Sequence, residues 1–241
     1  MNAEQLIEDS RPFLSWLVNW TNSRPSLGLA KLIEEVGGAD RVAVMAVDVT
    51  TGFCSEGALA SERVGGIVGP VVRLFELAHD QGVRHFVLPQ DTHSPDAVEF
   101  GSFPPHCVRG SGESQTVAEL RALPFSDLFT IIEKNSVSVA INTGLEGWLA
   151  AHPEVTTFLV VGDCTDLCTH ELAMYLRLRA NTYNLREVRV ILPIDGVDTF
   201  DIPVDVAAEL GIMPHPANLL HLIFLYNMAE NGVEVAARID A

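Results

Sequence analysis

Five short apolar runs, spaced by stretches of helical periodicity, set the tightest limit on how this chain can fold. They occupy residues 41–49, 84–89, 128–133, 157–162 and 188–193. Each is consistent with a parallel strand buried on both faces. Candidate helices lie between them. The longest spans 64–81, with Val68, Val71, Val72, Phe75 and Leu77 available for burial, and others cover 139–150, 168–179 and 216–230. This alternation implies an α/β fold: a three-layer α/β/α sandwich around a mostly parallel sheet, Rossmann-like in its winding.

Residues 1–40 stand apart and read as a helical N-terminal extension to a domain of residues 41–241. Phe13, Leu14, Leu17 and Val18 fall at helical spacing and suit docking on the core. Leu29, Leu32, Ile33 and Val36 form a second stripe, closed by Gly37 and Gly38 as a C-cap signal. The extension packs on the domain, or else serves as an oligomer contact or a lid.

Charge narrows the list of partners. The chain carries 15 Lys and Arg against 32 Asp and Glu, a formal net charge of −17. Such a surface repels phosphate backbones and anionic membranes, so no nucleic acid and no membrane partner is expected. Glu4, Glu8 and Asp9 stand where a secretory leader would be basic. No apolar run nears the roughly 18–20 residues of a membrane span. A cytoplasmic location is expected, with Cys54, Cys107, Cys164 and Cys168 kept as thiols.

Ligands of parallel sheets sit at the carboxyl ends of the strands. There the first strand delivers Asp48, the second Asp91 and His93, the third Lys134, and the fourth runs into residues 163–168. An acid, two types of metal ligand, a base and a thiol therefore converge. Cys168 falls in the first turn of a helix, where the dipole and free N–H groups favour a thiolate and could form an oxyanion hole. Alone, such a cysteine is as readily a buried structural one; the neighbouring acid and lysine strengthen the catalytic reading. Asp48 could take the thiol proton and later return it to a leaving group, or could cap the following turn. Lys134 would stabilise both anions, or be a solvated strand-end lysine.

Asp91 and His93 alternate onto one side of an extended chain. His106 follows an approach stiffened by Pro104 and Pro105, and Glu99 lies between. This mixed oxygen and nitrogen set suits zinc, iron or manganese with open positions for water or substrate. Cys164 and Cys168 have no second cysteine pair to complete a zinc cage. The remaining histidines read as surface or satisfied core residues, and His170 as pointing elsewhere along its helix.

Three blocks resemble the isochorismatase-like cysteine hydrolase superfamily over roughly residues 41–200. They are Val47-Asp48-Val49-Thr50-Thr51-Gly52-Phe53, then Ile132-Glu133-Lys134, then Gly162-Asp163-Cys164-Thr165-Asp166-Leu167-Cys168. A fourth block, Asp91-Thr92-His93, Glu99 and Phe103-Pro104-Pro105-His106-Cys107-Val108, is similar to the metal loop of the nicotinamidase (pyrazinamidase) family. The resemblance implies a catalytic triad of Asp48, Lys134 and Cys168, and an oxyanion hole from the backbone N–H groups of Cys164 and Cys168. It implies one divalent metal ion, zinc before iron or manganese, on Asp91, His93 and His106, with Glu99 as the acidic fourth ligand. It implies Phe53 and Phe103 sandwiching a substrate ring, a cis peptide between Asp163 and Cys164, and a homo-oligomer. The activity implied is hydrolysis of a small amide, nicotinamide, to nicotinate and ammonia. Another small-amide hydrolase, acting on a carbamoyl or ureido compound, is the alternative, followed by a non-catalytic metal-stabilised assembly protein. Thr50 and Gly52 depart from the family's Gln and Asp, Thr169 from its Val, and the segment after Lys134 lacks Ser-Ala-Phe. These departures bear on substrate identity rather than on the reacting groups.

Overall fold

All five apolar runs become strands of one sheet in the computed structural model, which describes residues 2–241. In chain order the main elements are α1 (Ala3–Asn22), α2 (Leu29–Val36), β1 (Val42–Val47), α3 (Val68–Asp80), β2 (His85–Asp91), β3 (Phe129–Lys134), α4 (Leu145–Ala151) and β4 (Thr157–Asp163). They continue with α5 (Cys168–Thr182), β5 (Arg189–Pro193), α6 (Val204–Leu210), α7 (Ala217–Glu230) and β6 (Glu234–Ala236). The strands lie in the order β3-β2-β1-β4-β5-β6, and Val197–Asp198 adds a seventh short strand beside the end of β4. Every pairing in this sheet is parallel. The chain winds outward from β1 to β3, then returns to β4 on the other side. The order reverses between β1 and β4, and a crevice forms there at the carboxyl ends.

Alternation along the strands splits the core into two layers. Val42, Val44 and Ala46 of β1 face Val71, Leu74, Phe75 and Ala78 of α3, with Leu29 and Leu32 of α2 in the same cluster. Ala43, Met45 and Val47 face Leu145, Trp148 and Leu149 of α4, Leu172 and Leu176 of α5, and Leu225 and Met228 of α7. Helices therefore cover both faces, which is the expected three-layer sandwich.

Several local expectations change. The helix expected over 64–81 breaks at Gly65 and Gly66, and α3 begins at Val68. The one expected over 139–150 starts only at Leu145. Ser138 Oγ accepts the Ile141 N–H at 3.2 Å and Thr143 Oγ1 donates to Val139 O, so these hydroxyls hold a turn in place of the first helical bonds. The edge strand β6 and the short α6 were not expected, being too brief to show a period. In α1 only Leu17 is buried, whereas Phe13, Leu14 and Val18 stay at least 37% exposed. That helix docks on α7 through an aromatic face, with Phe13, Trp16 and Trp20 all around the Tyr226 ring. The stripe of α2 packs as expected, and Gly37 closes it in the left-handed region at φ 90°. No helix among the described residues is long and apolar enough to cross a membrane.

Candidate active site

Each strand end at the crevice presents a polar side chain to the same buried point. Asp48 follows β1 directly, at φ 53°, a region Asp tolerates better than most residues. Its N–H donates to Pro89 O at 2.9 Å, and its Oδ1 accepts the Asp91 N–H at 2.7 Å, so the carboxylate is held against β2. Lys134 ends β3 in register with Asp91. Its Nζ stands 2.8 Å from Asp48 Oδ2, 2.5 Å from Asp91 Oδ1 and 3.4 Å from Cys168 Sγ. Cys168 opens α5 as its first residue. Asp48, Lys134 and Cys168 are all at least nine-tenths buried, at 1%, 2% and 7% exposure.

Burial raises Asp48 to about 6, helped by the Asp91 charge and opposed by Lys134. Burial alone would lower Lys134, but the two carboxylates outweigh it and keep the ammonium charged. Burial also pushes the Cys168 thiol well above its usual value; Lys134 pulls it back, while Asp48 and Asp91 add to the rise. The position at the helix N-terminus therefore does not yield a resting thiolate, contrary to the expectation from sequence. Two anions share the pocket, and a neutral thiol is the cheaper state. Deprotonation needs a base. The Asp48 carboxylate offers one, with an oxygen within 4.8 Å of Sγ.

The turn before Cys168 is fixed by Gly162, at φ 118°. A Cβ there would lie 2.0 Å from Val47 O, so only glycine lets β4 lie against β1. The Asp163–Cys164 peptide is cis. Within the turn, Leu167 N–H and Thr169 N–H donate to Cys164 O, and Thr165 N–H to Asp198 O; the N–H groups of Cys164 and Cys168 donate to none of the turn's carbonyls. Both are free to meet an oxygen of a ligand.

Beside this cluster, His93 Nε2 and His106 Nε2 face each other at 3.1 Å. Asp91 Oδ1 is 3.3 Å from the former and Asp91 Oδ2 3.6 Å from the latter. His106 Nδ1 lies 2.8 Å from Pro104 O. A carbonyl only accepts, so the proton sits on Nδ1 and Nε2 presents a lone pair. His93 Nε2 can donate to that lone pair, and with that proton removed the same atoms form one convergent acceptor set. Ligands of one zinc ion at about 2.0–2.1 Å stand at just such separations, and the donor set fits a divalent cation. Glu99 is less committed: Oε1 is 3.9 Å from His93 Nε2, while Oε2 accepts the Val137 N–H at 3.0 Å.

Both clusters open onto one narrow pocket, lined by Asp48, Asp91, Glu99, His106, Cys164 and Cys168 and walled by Phe53, Phe103, Leu59, Val137, Leu167 and Phe200. The Phe53 ring lies 5.4 Å and the Phe103 ring 6.3 Å from the His106 ring. A larger hollow near Leu149, Pro153 and Leu185 lies at the amino ends of the strands, away from these groups.

The sequence pattern of the isochorismatase domain matches residues 42–204. The chain belongs to the isochorismatase family. Nicotinamidase 1 of Arabidopsis thaliana is 28% identical to it over 223 residues, covering 83% of this chain and 86% of the relative. A cysteine hydrolase of Pseudomonas syringae pv. phaseolicola superposes with a TM-score of 0.66 at 25% identity, over 83% of this chain and 89% of its own. The pyrazinamidase of Pyrococcus horikoshii, solved in complex with zinc, gives 0.63 at 20% identity over 81% and 98%.

This isochorismatase-family site also holds residues that the sequence did not single out. Phe200 reaches the pocket from the segment after Val197–Asp198, and its ring stacks on His215 at 3.8 Å. His215 in turn donates through Nδ1 to Phe200 O and pairs through Nε2 with Asp166 Oδ2, both at 2.8 Å. A pocket wall is thereby tied to the turn that leads into Cys168. No local periodicity could have revealed this. His221 Nδ1 meets Thr165 Oγ1 at 2.9 Å, and Arg63 holds Asp198 at 2.8 Å. His170, as expected, turns away, to Asn227. Asp163 is 1% exposed, and burial followed by the Asp48 charge raises its pKa well above the usual range. The reasoning applied to Asp48, a carboxylate ending an apolar strand, would have found it. At Gly52 a Cβ would stand 2.6 Å from Cys107 Sγ, so a larger residue there needs its neighbours to shift.

Proposed function

We propose that this chain is a nicotinamidase, a cysteine hydrolase that converts nicotinamide to nicotinate and ammonia through a thioester on Cys168. One observation carries the reading: a thiol–lysine–carboxylate cluster and a His, His, Asp donor set open onto the same narrow, phenylalanine-walled pocket. The 28% identity to a curated nicotinamidase supports it.

In the first step Asp48 takes the proton of Cys168, and the Lys134 ammonium balances the new thiolate. The sulfur attacks the amide carbonyl carbon, and the N–H groups of Cys164 and Cys168 hold the resulting oxyanion. The carbon–nitrogen bond breaks, and Asp48 returns its proton so that ammonia leaves. Asp48 then takes a proton from water, whose oxygen displaces the sulfur to give the acid and restore the thiol. Asp91, His93 and His106 would hold a divalent ion, zinc before iron or manganese, with Glu99 as its outer acidic partner. When bound, that ion would supply a Lewis acid for a pyridine nitrogen. Phe53 and Phe103, joined by Phe200, would hold an aromatic ring beside the thiol.

The test is ammonia release from nicotinamide by the metal-replete protein, with Cys168→Ala as control and metal content measured in His93→Ala and His106→Ala. Release lost in the control, together with metal lost in both histidine variants, is expected. A reactive thiol without release from nicotinamide would move the substrate to another small amide. Unchanged metal content in both histidine variants would refute the ligand assignment.

A further inference from the structure

The sheet has a second convergence of metal-binding side chains, at the end opposite the pocket. His85 is the first residue of β2, His152 caps the C-terminus of α4, and Glu154 follows two residues later. His152 Nδ1 lies 3.1 Å from Glu154 Oε1, and His85 Nε2 lies 3.7 Å from the same oxygen. The two imidazole rings stand 4.8 Å apart at 61°, and one donor atom from each of the three residues falls within 4.8 Å of the others.

We propose that His85, His152 and Glu154 form a second divalent-metal site of the zinc class. Two imidazoles and one carboxylate with an outward open position are a donor set that zinc accepts, leaving a coordination place for water. The rings are not loose surface groups. Trp148, 8% exposed, lies beneath both, with its ring 4.6 Å from His152 and 5.9 Å from His85. Without a cation, His152 hydrogen-bonds Glu154 while His85 stays 3.7 Å from the same oxygen; with a cation, all three donors are used. The ion would clip the end of α4 to the start of β2.

The site is separate from the catalytic pocket. The seven-residue β2 runs from His85 to Asp91, a span of about 20 Å at the rise of an extended strand. One ion cannot serve both clusters.

Equilibrium dialysis of the full chain against zinc alone, with metal counted per chain, tests the proposal. Two zinc ions per chain are expected in the parent protein. His152→Ala and Glu154→Gln should each lose one and keep the other, with unchanged circular dichroism. His106→Ala should lose the opposite one, and the His106→Ala/His152→Ala double variant should bind none. In cobalt-loaded His106→Ala, a visible band of low-coordinate cobalt should remain and should vanish on adding His152→Ala. The proposal is overturned if His152→Ala and Glu154→Gln bind as much zinc as the parent. It is equally overturned if His106→Ala, folded, binds none.

Discussion

Lys134 Nζ lies 3.4 Å from Cys168 Sγ, although β2 and β1 lie between β3, which carries the lysine, and β4, which leads into the helix that carries the cysteine. The lysine ammonium contacts Asp91 and Asp48 on the way, and so sits among three groups that can become anionic. Lys134→Met should leave two buried carboxylates without a counter-charge. The expected cost is about 3–5 kcal/mol of stability, as for other broken buried pairs. Urea unfolding measures this. Iodoacetamide alkylation of Cys168 should also shift to higher pH in any folded Lys134→Met; an unchanged alkylation profile would remove Lys134 from the mechanism.

Cys168→Ala should lower turnover of nicotinamide by about four orders of magnitude or more, as loss of a nucleophile does elsewhere. The side chain is small and its pocket is already open to ligand, so the melting temperature should hold. Ammonia assay and calorimetry on one preparation check both parts. A variant that keeps its rate ends the covalent reading.

Phe200 walls the pocket, and its side chain carries no reacting group. Phe200→Ala should raise KM for an aromatic amide by about tenfold, the effect of losing one ring contact of about 1.5 kcal/mol. The value of kcat should change less. Steady-state kinetics separates the two, and a fall confined to kcat would contradict a wall role.

The Asp166–His215 pair gives stability a pH signature. Burial raises Asp166, but the hydrogen bond from His215 and its charge oppose it, and the Asp166 pKa is lowered from 3.8. Burial lowers His215, but the bond and charge of Asp166 outweigh it, and its pKa is raised from 6.5. The histidine contribution is full below 6.5 and fades as pH rises through its higher folded value. The aspartate contribution is present above 3.8 and fades as pH falls through its lower folded value. His215→Gln should therefore cost most near pH 5–6, about 2 kcal/mol, and progressively less toward pH 9. Denaturant midpoints across pH test this; a cost that grows with alkalinity would reverse the assignment.

Gly162→Ala should not be accommodated. Its Cβ would meet backbone rather than a side chain that can move, at 2.0 Å from Val47 O. Loss of several kcal/mol or failure to fold is expected, read by yield and melting. A native-like melting temperature would show that β1 and β4 can separate at their ends.

The sequence by itself determined the strand-and-helix alternation, because burial on both faces demands continuous apolar runs whatever the neighbours are. It also delivered the triad and metal-ligand candidates, since parallel strands must all end on one side and their terminal polar residues must meet there. Only the tertiary structure decided the state of the Cys168 thiol: its pKa depends on Asp48, Asp91 and Lys134 together, and their joint charge in a buried space cannot be read from a helix N-terminus. It also decided which face α1 uses. A helix stripe in sequence does not say whether the core or α7 will receive it, and Tyr226 lies more than 200 residues away. Phe200 and the His85, His152 and Glu154 cluster were invisible for the same reason: such groupings arise when chain segments without mutual periodicity are brought together, and that distance is set by packing, not by local sequence.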